Sequence, residues 1–336
     1  MMKCISQNSF HTLRSKSVLI IGGLGFIGSN LTRKLLEIDC KVTLIDSLIP
    51  EYGGNPANIN DIQDRVNVNI SDIRDIYSLP RLVQGQDYIF NLAGQTSHMD
   101  SMQNPQTDLA INCGAQLSFL EICREHNPGA RIVFASTRQI YGKPRYLPVD
   151  EKHPLDPVDV NGINKLAGER YHTLYARVYG LKTVVLRLTN TIGPRMRIKD
   201  ARQTFIGVWV ANLLQNKPVE VWGGGQLRDL NYVDDVVDAL MLAVVTDEAQ
   251  GKVFNLGCQE VVNIKTLAGK LIAANNGCGC CELREFPAER KAIDIGDYYG
   301  DYSLFRETTG WEPRWSIDAA LKATLDYYRD RLADYL

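Results

Sequence analysis

The sequence predicts an α/β protein in which a doubly wound parallel sheet carries a smaller C-terminal α/β lobe. Short apolar segments such as Ser17–Ile21 alternate with amphipathic stretches such as Phe26–Ile38. Apolar strands that alternate with helices are typical of a parallel sheet covered on both faces. The length of 336 residues also leaves room for about two domains.

The first half of the chain supplies most of the predicted sheet. Its strands are Ser17–Ile21, Lys41–Ile45, Val66–Ile70, Tyr88–Leu92, Ile132–Ala135 and Thr183–Leu188. The main helices predicted between them are Phe26–Ile38, Asp108–His126 and Asn161–Tyr179. Each helix shows apolar residues at helical spacing, whereas each strand is a short apolar run.

The second half of the chain is predicted to divide between the sheet and the lobe. A helix at Val233–Val245 and a strand at Val253–Leu256 return to the sheet, while helices at Ile264–Ala274 and Ile317–Tyr328 belong to the lobe. We therefore assign residues 17–188 and 228–257 to the sheet domain and residues 189–227 and 258–336 to the lobe. Residues 1–16 are expected to form a short extension before the fold.

Composition excludes several classes of function. The 37 basic and 39 acidic residues give a net charge of −2, which offers no broad basic field for a nucleic acid. No segment approaches the ~18 apolar residues of a membrane span. Eight cysteines without an export signal predict reduced thiols in the cytoplasm.

The C-x-x-C at Cys278–Cys281 has no second pair nearby, so no metal site is predicted.

A glycine-rich segment predicts a dinucleotide site. Gly22, Gly25 and Gly28 have GxxGxxG spacing, directly after the first apolar strand and at the start of a helix. Glycines allow a tight turn and a close approach of a pyrophosphate, which the helix N-terminus attracts. Asp46 ends the next strand, where a carboxylate can accept hydrogen bonds from the adenosine ribose. Ser47 rather than arginine follows it, so this Rossmann-type pattern favours NAD over NADP.

The motifs taken together resemble the extended short-chain dehydrogenase/reductases, in particular the nucleotide-sugar epimerases and dehydratases. The matching segments are Gly22–Gly28, Asp72-Ile73, Asn91–Gly94, Ser136–Gly142, Arg187–Pro194 and Arg228–Asp235. The resemblance implies NAD-dependent modification of a nucleotide-diphosphate sugar, with epimerisation through a transient keto sugar as the leading reaction. Dehydration and decarboxylation are alternatives, and so is a non-catalytic protein that senses a nucleotide sugar.

The resemblance also implies particular binding residues and a homodimer. The cofactor would contact Gly22, Gly25, Phe26, Ile27, Gly28, Asp46, Asp72, Ile73, Leu92, Ala93 and Lys165. Asn190, Arg228 and Arg290 would hold the substrate diphosphate, and Val221 and Trp222 would lie near the nucleobase. Arginine forks and amide donors suit a diphosphate, although Arg228 in a surface ion pair is an alternative. In relatives, helices like those at Asp108–His126 and Asn161–Tyr179 form the dimer interface.

The catalytic signature of this family, Tyr-x-x-x-Lys, is altered in this chain. Lys165 is present, but Asn161 occupies the position of the tyrosine. The i, i+4 spacing places both side chains on one helix face, where the tyrosine would take a proton from a sugar hydroxyl. An amide can orient a hydroxyl but cannot act as a base near neutral pH.

The usual proton route is therefore absent, or another side chain supplies it. We predict a catalytic set of Thr137, Asn161, Lys165 and His98, in which Thr137 binds the reacting hydroxyl. His98 is the first candidate for the proton acceptor, and its alternative is a substrate-loop or surface histidine. Further candidates are Tyr141, His153 and Tyr232.

A second difference from the family pattern argues against dehydration as the reaction. Sugar 4,6-dehydratases of this family carry Asp-Glu where this chain has Arg138 and Gln139. Neither side chain is a plausible acid or base at neutral pH. Arg138 could instead bind a carboxylate or another anion on the sugar, or it could pair with a nearby acid. The sequence leaves both possibilities open.

Overall fold

Seven parallel strands form the central sheet of the computed structural model, which describes residues 7–336. Within those residues the chain forms the strands β1 (Ser17–Ile21), β2 (Lys41–Asp46), β3 (Asn67–Ile70), β4 (Tyr88–Asn91), β5 (Arg131–Thr137), β6 (Lys182–Leu188), β7 (Asn190–Ile192), β8 (Val219–Trp222), β9 (Leu227–Tyr232), β10 (Val253–Asn255), β11 (Val261–Asn263) and β12 (Cys281–Arg284). The order across the central sheet is β3-β2-β1-β4-β5-β6-β10. The predicted doubly wound α/β fold is confirmed.

Helices cover both faces of this sheet. The helices of the whole described part of the chain, including those of the lobe, are α1 (Phe26–Glu37), α2 (Leu79–Val83), α3 (His98–Gln103), α4 (Pro105–Leu109), α5 (Ala115–His126), α6 (Val160–Tyr179), α7 (Phe205–Leu214), α8 (Val233–Val245), α9 (Ile264–Ala274), α10 (Ala288–Ala292), α11 (Ser303–Thr309) and α12 (Ile317–Arg329). None of these helices combines the length and hydrophobicity that crossing a membrane requires.

The order of the strands creates a crevice. The chain proceeds outward from β1 through β2 to β3 and then returns to place β4 on the other side of β1. The loops that follow β1 and β4 therefore diverge at the carboxyl edge of the sheet. A ligand site in an open α/β sheet lies at such a switch point.

The small lobe contains two further sheets. In one, β9 pairs with β7 and with β11, and in the other β8 pairs with β12. Residues 228–232 were expected to return to the central sheet, but they lie in β9 instead. The side chains of Arg228, Asp229 and Asn231 explain the difference, because a central strand buried on both faces is predominantly apolar. The return is made by α8 and β10.

One apolar core joins the lobe to the central sheet. Val18 and Ile20 from β1 share a cluster with Trp209, Val221 and Leu325 from the lobe. The N-terminal segment also belongs to this core, since Phe10 and Leu13 are buried in it. The predicted extension is thus packed against the fold from at least Phe10 onward, and residues 1–6 lie outside the described residues.

Candidate active site

The glycine turn after β1 is fitted for a close ligand. Gly22 has φ +84°, a backbone conformation that residues with a Cβ rarely adopt. A Cβ on Gly28 would lie 2.3 Å from the carbonyl oxygen of Gly22, so the turn and α1 approach too closely for any larger residue. The first backbone N–H groups of α1 are therefore available to an anion at the carboxyl edge of the sheet.

Asp46 stabilises this turn as well as lining the cavity beside it. Its Oδ2 accepts a hydrogen bond from the Leu24 amide at 3.0 Å, and its Oδ1 accepts one from the Leu48 amide at 3.0 Å. Burial raises the pKa of Asp46 although both amides oppose that effect. The carboxylate thus couples the end of β2 to the glycine turn, at the position expected for a ribose.

The structure brings all of the predicted cofactor residues together in one elongated cavity. It is lined by Gly22, Gly25, Phe26, Ile27, Gly28, Asp46, Asp72, Ile73, Leu92, Ala93 and Lys165, among others. The glycine backbone lines one part of the cavity. Asp46 at the end of β2 and Asp72 after β3 line another part, and α6 contributes Lys165. This sequence of contacts fits the pyrophosphate, the adenosine and the second ribose of a dinucleotide.

Lys165 is held in place without a carboxylate partner in the described structure. Its Nζ donates to the Ala135 carbonyl at 3.1 Å and lies 4.9 Å from the centre of the Phe134 ring. Burial lowers the pKa of the lysine to about 8. The His172 ring stacks on Phe134 with 4.2 Å between centres. Packing therefore fixes an amine next to the cavity, where it can donate to ribose hydroxyls.

Asn161 is part of a buried amide network centred on Asp108. Its Nδ2 donates to the Gln95 carbonyl at 2.7 Å and to Asp108 Oδ2 at 3.1 Å. Asn112 also donates to Asp108 Oδ2, at 3.0 Å, and Asn164 donates to Oδ1 at 2.8 Å. The residue that replaces the expected tyrosine thus orients the Gln95 loop, and its side chain carries no group that could accept a proton at neutral pH.

A local irregularity in a helix builds this network. The predicted helix Asp108–His126 is interrupted by a π-helical turn at Ala110–Gly114, between α4 and α5. Such single wide turns are frequent at functional sites. Asp108 precedes this turn and Asn112 lies within it, and both side chains face α6. Sequence reasoning missed these two residues, although polar side chains on the buried face of an amphipathic helix could have indicated them.

His98 lies against a buried carboxylate at the edge of the cavity. Its Nδ1 is 2.9 Å from Asp159 Oδ2, and 41% of the imidazole side chain is exposed, whereas the Asp159 side chain is fully buried. The two groups are in close polar contact, although Nδ1 is not aligned for a linear hydrogen bond. Burial acts to raise the pKa of Asp159, but the nearby His98 and the hydrogen bonds lower it overall. Asp159 was not identified from the sequence.

The other candidates for a proton acceptor do not line this cavity. The Tyr141 hydroxyl donates to Asn255 Oδ1 at 2.7 Å, and burial raises its pKa to about 12. His153 uses Nε2 to accept from the Arg145 amide and Nδ1 to contact the Pro154 carbonyl. Tyr232 is buried in the core. These three side chains are structural, whereas Thr137, Asn161, Lys165 and His98 line the cofactor cavity.

Thr137 is oriented by a short turn after β5. Its Oγ1 accepts a hydrogen bond from the Gln139 amide at 3.2 Å. This contact uses a lone pair and leaves the hydroxyl hydrogen available for donation into the cavity. The Gln139 side chain turns away, with Nε2 donating to Asp159 Oδ2 at 2.8 Å.

A second cavity opens between the sheet and the lobe. Asn190, Arg228, Arg290, Arg138 and Trp222 line it. Arg228 is buried, donates to the Leu227 and Gly296 carbonyls and contacts Asp294 at 3.2 Å, so its ion pair is a buried one and not a surface one. Val221 does not line the cavity because its side chain points into the core. Trp222, the next residue, occupies the predicted place at the cavity wall.

The two cavities meet in one continuous cleft. The residues that line both are His98, Arg138, Gln139, Asn190, Gln203 and Thr204. A ligand in the arginine-lined part would therefore reach His98 and approach Thr137 at the inner end. The junction contains a histidine, an arginine and neutral polar side chains, and neither an aspartate nor a glutamate lines both parts within the described residues.

Comparisons with known proteins agree with this geometry. A family model described as the NAD dependent epimerase/dehydratase family matches residues 18–257. The chain is 29% identical over 327 residues to UDP-glucuronic acid decarboxylase 1 of Xenopus tropicalis, covering 94% of this chain and 73% of that protein.

Two solved structures extend the likeness over nearly the whole chain. An epimerase from Methanothermobacter thermautotrophicus has a TM-score of 0.90 at 25% identity and covers 97% of this chain and 96% of its own. The UDP-glucose 4-epimerase of Thermotoga maritima with UDP-glucose has a TM-score of 0.86 at 30% identity, covering 94% of this chain and 99% of its own.

The position of Asp46 predicts discrimination between NAD and NADP. The wild-type protein is expected to bind NAD roughly tenfold or more tightly than NADP, because a 2′-phosphate would meet the carboxylate. Asp46→Asn should narrow this ratio, chiefly by strengthening NADP binding. Calorimetric titration with both nucleotides measures the ratio, and Asp64→Asn, on the surface, serves as the control. Equal affinities in the wild type would contradict the assignment of Asp46.

Proposed function

The chain belongs to the NAD dependent epimerase/dehydratase family, and we propose that it epimerises a nucleotide-diphosphate sugar through a transient keto sugar. The observation that carries this proposal is the continuous cleft. Its cofactor part fits a dinucleotide and its arginine-lined part fits a diphosphate. His98 lines both parts, and Thr137 lines the cofactor part directly before Arg138, which lines both. NAD, when bound, supplies an acceptor for the hydride of a sugar carbon and then returns it, so none is consumed.

The protein side of the reaction consists of binding, orientation and proton transfer. Arg228 and Arg290 hold the diphosphate, and Asn190 supplies an amide beside them. The Thr137 hydroxyl donates to the reacting sugar oxygen. Lys165 holds the ribose next to the reacting carbon. These roles place a sugar hydroxyl at the junction of the cleft, within the region lined by His98.

We assign His98 as the group that accepts the proton of the sugar hydroxyl. Asp159 lies 2.9 Å from Nδ1 and favours a proton on that nitrogen, which leaves Nε2 as the acceptor. The histidine can then take the proton from the sugar hydroxyl as the ketone forms and return it when the ketone is reduced. Asp159 acts as a positioning residue, because it orients the imidazole and does not itself reach the sugar.

The same junction favours epimerisation over dehydration. Loss of water requires an acid to protonate the leaving hydroxyl and a base to remove a proton from carbon. Arg138 and Gln139 stand at the corresponding positions, and Gln139 is bound to Asp159. A keto intermediate needs only one proton carrier at its hydroxyl, which His98 supplies.

A homodimer completes the proposal. Helices α5 and α6 pack together and expose large apolar side chains at Leu117, Ile163, Leu174, Val178 and Tyr179. An exposed apolar surface of this kind marks an interaction site, and a two-fold axis would pair it with its copy. Sedimentation equilibrium is expected to give a dimer, and a monomer at micromolar concentration would contradict the assignment.

Removal of the imidazole should abolish most of the turnover. His98→Gln is expected to lower kcat by about 10²- to 10⁴-fold, the usual contribution of a general acid–base group, while NAD affinity changes little. Asp159→Asn should lower kcat less and should alter its pH profile, because it acts through His98. Turnover is measured by product chromatography with a panel of UDP-, GDP-, CDP- and dTDP-sugars.

The matched control is His126→Gln, at an exposed histidine at the end of α5. This variant is expected to turn over like the wild type. Full activity of His98→Gln would show that the proton takes another route. Binding of sugar nucleotides without turnover in the wild type would favour a sensor over an enzyme.

A further inference from the structure

The four arginines of the substrate cavity differ in their charge partners. Arg202 contacts Asp100 at 2.6 Å and Asp200 at 2.9 Å, and Arg228 contacts Asp294 at 3.2 Å. Arg290 lies over the Trp222 ring at 4.4 Å, and neither it nor Arg138 has a carboxylate within 4.0 Å in the described structure. Arg290 and Arg138 thus carry positive charges that no protein carboxylate meets at contact distance within the described residues.

These two arginines occupy different parts of the cleft. Arg290 lines only the lobe side, together with Trp222, where the nucleotide and its diphosphate are expected. Arg138 lines both parts and directly follows Thr137 in the chain. It is therefore close to the reacting end of the sugar, whereas Arg290 marks the nucleotide end.

The Arg138 side chain is held in one position, but no protein carboxylate pairs with its charge in the described structure. Its Nη2 donates to Asn190 Oδ1 at 3.2 Å, and its guanidinium lies 5.0 Å from the centre of the Tyr298 ring. Its Nη1 is buried without a hydrogen-bond partner among the described residues. Burial lowers the pKa of Arg138, since the charged form loses hydration that no protein carboxylate replaces at contact distance.

The two carboxylates whose charges act on Arg138, those of Asp229 and Asp294, contact other groups. Asp229 accepts hydrogen bonds from Thr189 Oγ1 and from the Gly300 amide at 2.9 Å. Asp294 contacts Arg228 and accepts from the Gly296 amide at 3.0 Å. Both raise the pKa of Arg138 from a distance without forming an ion pair with it. The structure therefore supports the anion-binding alternative for Arg138 over pairing with a protein acid.

We propose that Arg138 binds a carboxylate carried by the sugar, so that the substrate is an acidic sugar nucleotide such as a nucleotide-diphosphate hexuronic acid. This inference rests on the proposed function, because it places a sugar nucleotide in the cleft. The planar guanidinium offers a forked pair of donors that matches a carboxylate. The stack on Tyr298 and the bond to Asn190 hold the fork in one orientation before the ligand arrives.

Matched pairs of sugar nucleotides test the proposal by equilibrium binding. The pairs are UDP-glucuronic acid with UDP-glucose, UDP-N-acetylmuramic acid with UDP-N-acetylglucosamine, and GDP-mannuronic acid with GDP-mannose. The first and third pairs present the carboxylate on the ring, and the second presents it on an ether side chain. The NAD-loaded wild type is expected to bind the acidic member of at least one pair about 10- to 100-fold more tightly, as charge-assisted hydrogen bonds would.

Three variants locate the origin of that preference. Arg138→Gln keeps a donor for Asn190 but removes the charge, so the preference for the acidic member should fall towards unity. Arg138→Lys should restore part of it. Arg290→Gln is the matched comparison, because it should weaken both members of a pair by the same factor and leave the preference unchanged.

The possible results separate this inference from the proposed function. Equal binding within every pair, or an equal loss for both members in Arg138→Gln, would overturn the carboxylate assignment and would place Arg138 at the diphosphate. In that case UDP or GDP binding would still support the proposed function. Failure of all six sugar nucleotides and of UDP and GDP to bind would overturn both.

Discussion

One buried carboxylate, that of Asp159, holds the parts of the candidate active site together. Its Oδ1 accepts from the Gly162 amide at 2.6 Å and so caps the helix that carries Asn161 and Lys165. Its Oδ2 contacts His98 at 2.9 Å and Gln139 at 2.8 Å. The starts of α6 and α3 and the turn after β5 are thereby fixed relative to one another, and a shift of any one would displace the proposed proton carrier from the sugar.

Asn161, which replaces the tyrosine of the family signature, is part of a buried hydrogen-bond network. A second buried carboxylate, Asp108, accepts from three asparagine side chains, and Asn161 is one of them. An unpaired buried carboxylate or amide would be costly, so each member of this network depends on the others. The position thus serves to orient the Gln95 loop, and in the mechanism that we propose the proton is carried instead by His98, which borders both parts of the cleft.

The parts of the structure that local sequence determines could be predicted well. The glycine turn, Asp46 and Lys165 follow from spacing along single elements, and all three line the expected cavity. Asp159 could not be found in that way, because its role arises from contacts between the start of α6, His98 and the turn after β5. The polar pattern of its helix could indicate Asp108, but its contacts with Asn161 and Asn164 of α6 depend on the tertiary fold. The pairing of β9 with β7 and β11 likewise depends on partners distant in the chain. Val221 and Trp222 differ by one residue, and only the strand register decides which side chain faces the cavity.

The central claim is that this chain transfers hydride although it lacks the tyrosine. Single-turnover absorbance of the nicotinamide, recorded when NAD-loaded wild-type protein is mixed with the sugar nucleotides that it binds, tests the claim most directly. Our account predicts a transient rise from reduced nicotinamide, followed by its decay and by the appearance of an epimerised sugar. An unchanged absorbance and an unaltered sugar, despite measured binding, would contradict the account, and a 4-keto-6-deoxy product would contradict the roles of Arg138 and Gln139.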